Sequence, residues 1–191
     1  MKTNKANKFA VGMVAMAALA VMAGSAHAEG GKFDVRVSPL VLLVGAVDLQ
    51  GNMQLSDNLS VGALVTKWGL TVNGDELSTL GLGARGNWHF NGVGKNGPYV
   101  TGYAKRWSFD ITNTDFSGTQ YTGSTSALVF GALGGYQWIF DSMKLNLGAG
   151  YAVGSMGDVT LSDSGGNTTT FSGDSAPVGG LAFDATIGWS F

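Results

Sequence analysis

The chain has 191 residues, of which 45% are hydrophobic, 31 are glycine and only 13% are charged, giving a formal net charge of −2. It contains no cysteine, which excludes disulfides and thiolate–metal sites, and its acidic balance speaks against nucleic-acid binding, which favours a basic face. After residue 28 no apolar run exceeds "PLVLLVGAV" (39–47), so a membrane-crossing helix of about 20 apolar residues is excluded as well.

Lys2, Lys5 and Lys8, the apolar run "FAVGMVAMAALAVMAG" (9–24) and the small-residue site Ala26-His27-Ala28 predict a secretory signal peptide over 1–28, cleaved after Ala28. No Cys follows the run to carry a lipid anchor. The mature chain, Glu29–Phe191, is then 163 residues long, a length that suits one domain. Loss of three lysines leaves 8 basic against 13 acidic residues, a net charge near −5.

"KFDVRVS" (32–38) reads as a short first strand, and "PLVLLVG" (39–45) is too apolar for an exposed loop; it either extends the first strand pair or folds against a rim. "VDLQGNMQL" (47–55) alternates Val47, Leu49, Met53 and Leu55 against Asp48, Gln50, Asn52 and Gln54, the period of a half-buried strand. The turn "SDN" (56–58) leads to a strand at 59–69, and a polar connector covers 71–77. "LGLGARGNWHF" (80–90) alternates again: Leu80, Leu82, Ala84, Gly86, Trp88 and Phe90 against Gly81, Gly83, Arg85, Asn87 and His89.

The turn "NGVGKNGP" (91–98) precedes a strand at 99–111, whose alternation turns Tyr99, Tyr103 and Trp107 outward and Arg106 and Asp110 inward. The same alternation sends Lys105 outward, at roughly 2–4 kcal/mol in mid-bilayer unless it snorkels or a bulge shifts the face. A long polar connector (112–124), a strand at 126–140 and the tight turn "FDSM" (140–143) follow. "KLNLGAGYAVG" (144–154) and "GLAFDATIGWSF" (180–191) alternate in the same way, separated by a long polar stretch at 157–177.

Gly81, Gly83 and Gly86 also fit the G-x-G-x-x-G dinucleotide fingerprint, which needs a helix after the loop and an acidic residue about 20 positions on. "NWHFNGVGKNGP" cannot start a helix, so the stretch is a strand, its inward glycines making room for bulky neighbours such as Arg85. "GVGKNG" (92–97) lacks the K-[ST] ending of a phosphate loop and reads as a turn.

Eight strands with alternating short and long connectors predict an all-β fold, an eight-stranded antiparallel up-and-down transmembrane β-barrel over 29–191 with both termini at the short-turn end. A soluble sandwich would carry many Lys and Glu on its second face, whereas these strands carry Gly, Ser, Asn, Gln and Thr. An aromatic girdle is expected at the short-turn end from Trp88, Phe90, Tyr99, Tyr136, Trp138, Phe140, Trp189 and Phe191, and a second one from Trp68, Trp107, Phe109 and Tyr151. The signal peptide, alternating strands, polar loops and terminal "TIGWSF" resemble small bacterial outer-membrane β-barrel proteins of the OmpA or OmpW style. That resemblance implies an outer-membrane location, lipid and lipopolysaccharide as surroundings, a monomer, and Phe191 as an assembly signal read by the barrel-assembly machinery and periplasmic chaperones. No carboxy-terminal peptidoglycan-binding domain is expected, since the sequence stops at the end of the last strand.

Charges inside a narrow barrel must pair. The expected lumen network is anchored on Arg36, Asp48 and Asp184, with Arg85, Arg106 and Asp110 also facing in. No cofactor or metal is expected. Lipid acyl chemistry would need Ser, His and an acid at the outer end, whereas His89, the mature chain's one histidine, sits by a short turn. External acids (Asp75, Glu76, Asp115, Asp158, Asp163, Asp174) form no calcium-loop pattern. The expected role is structural or envelope-stabilising and non-enzymatic. A narrow channel for small solutes is the alternative, and adhesion through 112–124 and 157–177 comes third.

Overall fold

The computed structural model describes residues 32–43, 45–72, 75–114, 120–173 and 177–191; the expected signal peptide, Asp115 and Asp174 lie outside them. The strands are β1 (Phe33–Val37), β2 (Val47–Gln54), β3 (Leu59–Val72), β4 (Asp75–His89), β5 (Gly97–Thr114), β6 (Gln120–Phe140), β7 (Met143–Met156), β8 (Val159–Asp163), β9 (Thr168–Phe171) and β10 (Pro177–Ser190), with one short helix, α1 (Pro39–Leu43). All pairings are antiparallel, and the order β5-β4-β3-β2-β1-β10-β7-β6 closes through β5–β6 into a ring of eight. The expected eight-stranded barrel is the observed fold.

Side chains alternate across the wall as the pleat requires. Outside, Leu82, Phe130, Leu147, Tyr151, Val153, Leu181 and Phe183 are exposed, while Gln50, Asn52, Asn87, Asn146 and Thr186 are buried within the ring. The polarity is therefore inverted relative to a water-soluble sheet protein. Trp88, Phe90, Tyr136 and Trp189 are exposed on the exterior near the short-turn end, and Trp138 packs its ring against Tyr136 at 4.7 Å. Phe191 continues the ladder by donating its amide to Phe33 O at 2.9 Å.

The short turns follow local chemistry. Only Asp141 and Ser142 join β6 to β7, with Asp141 at φ 55°, a left-handed conformation that Asp tolerates better than most residues. The other end departs from expectation. β5 and β6 run on through 112–114 and 120–125, and part of the expected 157–177 loop forms the β8–β9 hairpin, paired to β6 at Tyr121–Ser124. Ladder pairing does not need apolar side chains where both faces are wet, so polar composition does not end a strand there.

At the tip of that hairpin Asn167 donates from its side chain and its backbone amide to the Asp163 carboxylate, each at 2.9 Å, and holds its pKa below the ordinary value. The folded tip prefers the charged form. Its contribution is therefore present at neutral pH and is lost as pH falls through and below the ordinary carboxylate value of about 3.9. The Asn167 amide resonance is expected to move on acidification to pH 3 in the parent and to stay still in Asp163→Asn.

The ring is low on one side. β1 pairs with β10 only from Val37↔Ile187 to Asp34↔Ser190, so β10 above Ile187 has no β1 rung beside it. α1 stands in that place, touching β10 on one side and β2 on the other. It is tied down by Ser38 donating its amide to Asp48 O (3.3 Å) and Ala46 to Val41 O (3.0 Å). This explains the apolar "PLVLLVG": the segment is neither loop nor strand but a one-turn stopper in the wall, with Val41 facing the lumen and Leu40 beside Phe183 and Ala185.

Candidate functional site: the barrel lumen

The lower half of the lumen, towards the short turns, is a continuous polar network. Asp34 and Arg36 lie two apart on β1 and so share its inner face. Arg36 Nε and Nη2 donate to the Asp34 carboxylate at 2.6 and 3.0 Å, Asn52 Nδ2 at 2.9 Å and Lys144 Nζ at 3.1 Å. A second cluster centres on Arg85, which donates to Asn87 Oδ1 (2.8 Å), Gln50 Oε1 (2.5 Å) and Asp184 Oδ2 (3.0 Å), while Tyr99 OH donates to the same Asp184 oxygen at 3.0 Å. Asn87 Nδ2 joins the clusters, reaching Ser60 Oγ at 3.0 Å and Asn52 Oδ1 at 3.4 Å.

The short-turn mouth is covered from below. Val93, 2% exposed, donates its amide to Asp57 O at 2.8 Å, and Gln137 Nε2 donates to Val93 O at 2.9 Å. Arg36, Asn52 and Asn146 expose 1% or less of their surface. Charges this enclosed are tolerable only because each is paired and hydrogen-bonded.

Of the six charges assigned to the lumen, Arg36, Arg85 and Asp184 lie in this network, and Asp48 lies higher on the inner face. Arg36 pairs with Asp34 rather than with Asp48 or Asp184. Arg106 and Asp110 are corrections: both are exposed on the exterior, Arg106 in register with Leu82 and Leu128, Asp110 with Ser78 and Ser124. Tyr99 is a third correction, removed from the girdle to the interior at 2% exposure. Trp68, Trp107 and Phe109 likewise line the interior, leaving Tyr151 outside.

One cause accounts for the inversion on β5. Its neighbours present glycine inward, and the large side chains of β5 lie on those glycines. A Cβ on Gly131 would stand 2.4 Å from the Tyr103 ring, and one on Gly135 would stand 2.8 Å from Tyr99 Cε1. One on Gly81 would meet Lys105 Cε at 2.8 Å and the Trp107 ring at 2.9 Å. The two leading glycines of the false dinucleotide fingerprint are thus a bed for Lys105 and Trp107. Over that bed Lys105 crosses β4, donates to Thr66 Oγ1, and places Nζ 4.4 Å from the Trp107 ring centroid.

The residues missed from the sequence are Asp34, Lys144 and the amides Gln50, Asn52 and Asn87. The pattern Asp-x-Arg in "FDVR" was the available signal, since residues i and i+2 of a strand share a face. Above the network the lumen turns apolar. A cavity of about 150 Å³ separates Arg85 and Asp184 from the Lys105 layer, and one of about 490 Å³ opens above, between Val41, Trp68, Trp107 and Phe109.

His89 lies in the lower network, with Nε2 3.4 Å from Ser60 Oγ and its ring 5.8 Å from that of Tyr99. Ser60 is 0% exposed, so no substrate reaches the pair. Among the described residues no group of three His, Cys, Asp or Glu could hold a metal ion.

No protein-family model matches the chain, and no curated protein matches it. Among solved structures, the translocator domain of the autotransporter NalP from Neisseria meningitidis is similar at 14% identity and a TM-score of 0.46, over 97% of this chain and 70% of that one. The barrel assignment rests on the strand pairing itself.

Proposed function

We propose that this chain is an outer-membrane β-barrel of a Gram-negative bacterium, non-enzymatic, whose role is structural and envelope-stabilising. The membrane setting is supported by the inverted polarity: apolar and aromatic side chains outside, amides and charges inside. Its surroundings are then lipid and lipopolysaccharide, its assembly goes through the barrel-assembly machinery and periplasmic chaperones, and a ring that closes on itself through β5–β6 suits a monomer.

The observation that carries the structural reading over a channel is the filled lower lumen, where the Asp34 and Asp184 clusters lie over the Val93 cover with their side chains almost wholly buried. Eight-stranded barrels have interiors that side chains just fill. Purified protein in planar bilayers is therefore expected to stay electrically silent. Reproducible conductance steps that disappear with Arg36→Ala or Arg85→Ala would replace this reading with that of a gated channel. Unboiled protein is also expected to migrate differently from boiled protein in an SDS gel, and identical migration would remove the barrel-in-membrane premise.

A further inference from the structure

We infer that the long-connector end of the barrel is a funnel that binds a cationic amphiphile, its tail in the upper lumen and its positive head at the rim. The inference rests on the barrel reading above and starts from a reversal of polarity along the strands. In the lower ring apolar side chains face out and polar ones face in. At the long-connector end the order is the opposite. Around the inner face Leu70 of β3, Leu77 of β4, Ile111 of β5, Gly123 of β6 and Leu161 of β8 stand in register. The flanking positions that point outward are Ser78, Asp110, Thr112, Ser124 and Thr160.

A sheet with a polar outer face has left the lipid, and such a sheet ordinarily covers its apolar side. This one does not. Leu70, Ile111 and Leu161 are 46%, 49% and 40% exposed, and Phe171, opposite Val159 on the same face, is exposed as well. A contiguous apolar surface left open and rimmed by polar groups marks a binding site. On β3 and β5 the apolar lining continues down to Trp68, Phe109 and Trp107, the walls of the 490 Å³ hollow that Lys105 floors. From Asn113 at the rim to Trp107 the funnel follows β5 for roughly 20 Å, at about 3.4 Å per residue, which suits an extended chain.

The rim selects the charge of the head. One inner position above Leu77 stands Asp75, and one above Leu161 stands Asp163, in register with Tyr121. The stretches 69–79, 110–126 and 157–177 together hold seven Asp and Glu and no Lys, Arg or His. Such a mouth repels an anionic head and draws in a cationic one. Since the lumen below is filled by the Arg36 and Arg85 clusters, the molecule is held there rather than passed on.

The test uses the full mature chain refolded into phosphatidylcholine nanodiscs, with boiled and unboiled samples compared first in an SDS gel. Equilibrium dialysis then follows decyltrimethylammonium below its micelle concentration, and empty nanodiscs measure partition into lipid. Binding is expected to saturate at about one equivalent, with decanoate, a similar chain on an anionic head, bound about tenfold more weakly. Asp75→Asn with Asp163→Asn is expected to weaken the cation about fivefold and decanoate not at all. Ile111→Ser with Leu161→Ser is expected to weaken both about tenfold. Thr122→Ala on the outer face is expected to change neither. Uptake no greater than that of empty nanodiscs, by protein that shows the heat shift, would overturn the funnel and leave the barrel standing. Absence of the shift would remove the barrel reading, and the funnel with it. Decanoate bound as tightly as the cation, or binding indifferent to both double substitutions, would overturn the funnel too.

Discussion

Replacing Asp34 by alanine is expected to cost about 3–5 kcal/mol of stability, measured as a lowered urea midpoint for the barrel in lipid vesicles. The size follows from what the carboxylate holds. Among the described residues the side-chain hydrogen bonds of both Arg36 and Lys144 go to Asp34 alone, and these cations are 1% and 3% exposed. Removing one anion leaves two enclosed cations and the Asn52 amide without their acceptor. Asp57→Ala at the exposed 55–58 turn is expected to stay within about 0.5 kcal/mol, and an Asp34→Ala midpoint equal to that control would sink the account.

A triple substitution tells what the network is for. Asp34→Leu with Arg36→Met and Lys144→Met removes the charges together and keeps the volume, and buried ion pairs so replaced are often neutral in stability. Recovery of most of the midpoint is expected. The network would then serve to seal the lumen rather than to hold the barrel together.

The alternation that identifies strands was legible because its period is local: β2, β4, β7 and β10 carry the faces their letters spell. β5 was not, because its large side chains are on the inner face: Tyr99, Tyr103, Lys105 and Trp107 point in, while Val100, Gly102, Ala104, Arg106, Ser108 and Asp110 point out. Hydrophobicity assigned the aromatics to lipid, whereas the deciding quantity was the space left by Gly81, Gly131, Gly135 and Gly148 on strands already in view. Register, a pairwise property, holds that information, and a single strand read alone does not. Lys105 carried the contradiction openly, since a lysine aimed at hydrocarbon signals an inverted face. The lumen network failed in the same way. The strand order points to Asp48 and Asp184 as partners of Arg36, whereas Asp34 stands two residues away on the same face. The segment 39–45 resisted placement because a one-turn wall stopper has no periodicity to read.

Two adjacent alanines give the strictest test of that facing. Gly134→Ala is expected to leave stability unchanged or raise it by about 0.5–1 kcal/mol, the usual benefit of alanine over glycine in a strand, because nothing lies within 4 Å of the added carbon. Gly135→Ala is expected to cost about 1–3 kcal/mol. Its Cβ would stand 2.4 Å from Leu147 O and 2.8 Å from both Gly148 Cα and Tyr99 Cε1. Either β6 and β7 part or the Tyr99 ring lifts. Lifting the ring breaks the 3.0 Å hydrogen bond from its hydroxyl to Asp184. The neighbouring substitutions share composition, strand and depth and differ only in which way the carbon points. Urea midpoints for the pair should therefore separate by at least about 1 kcal/mol. Equal midpoints would mean that Tyr99 does not lie across Gly135, and the interior position of the β5 aromatics would fall with it.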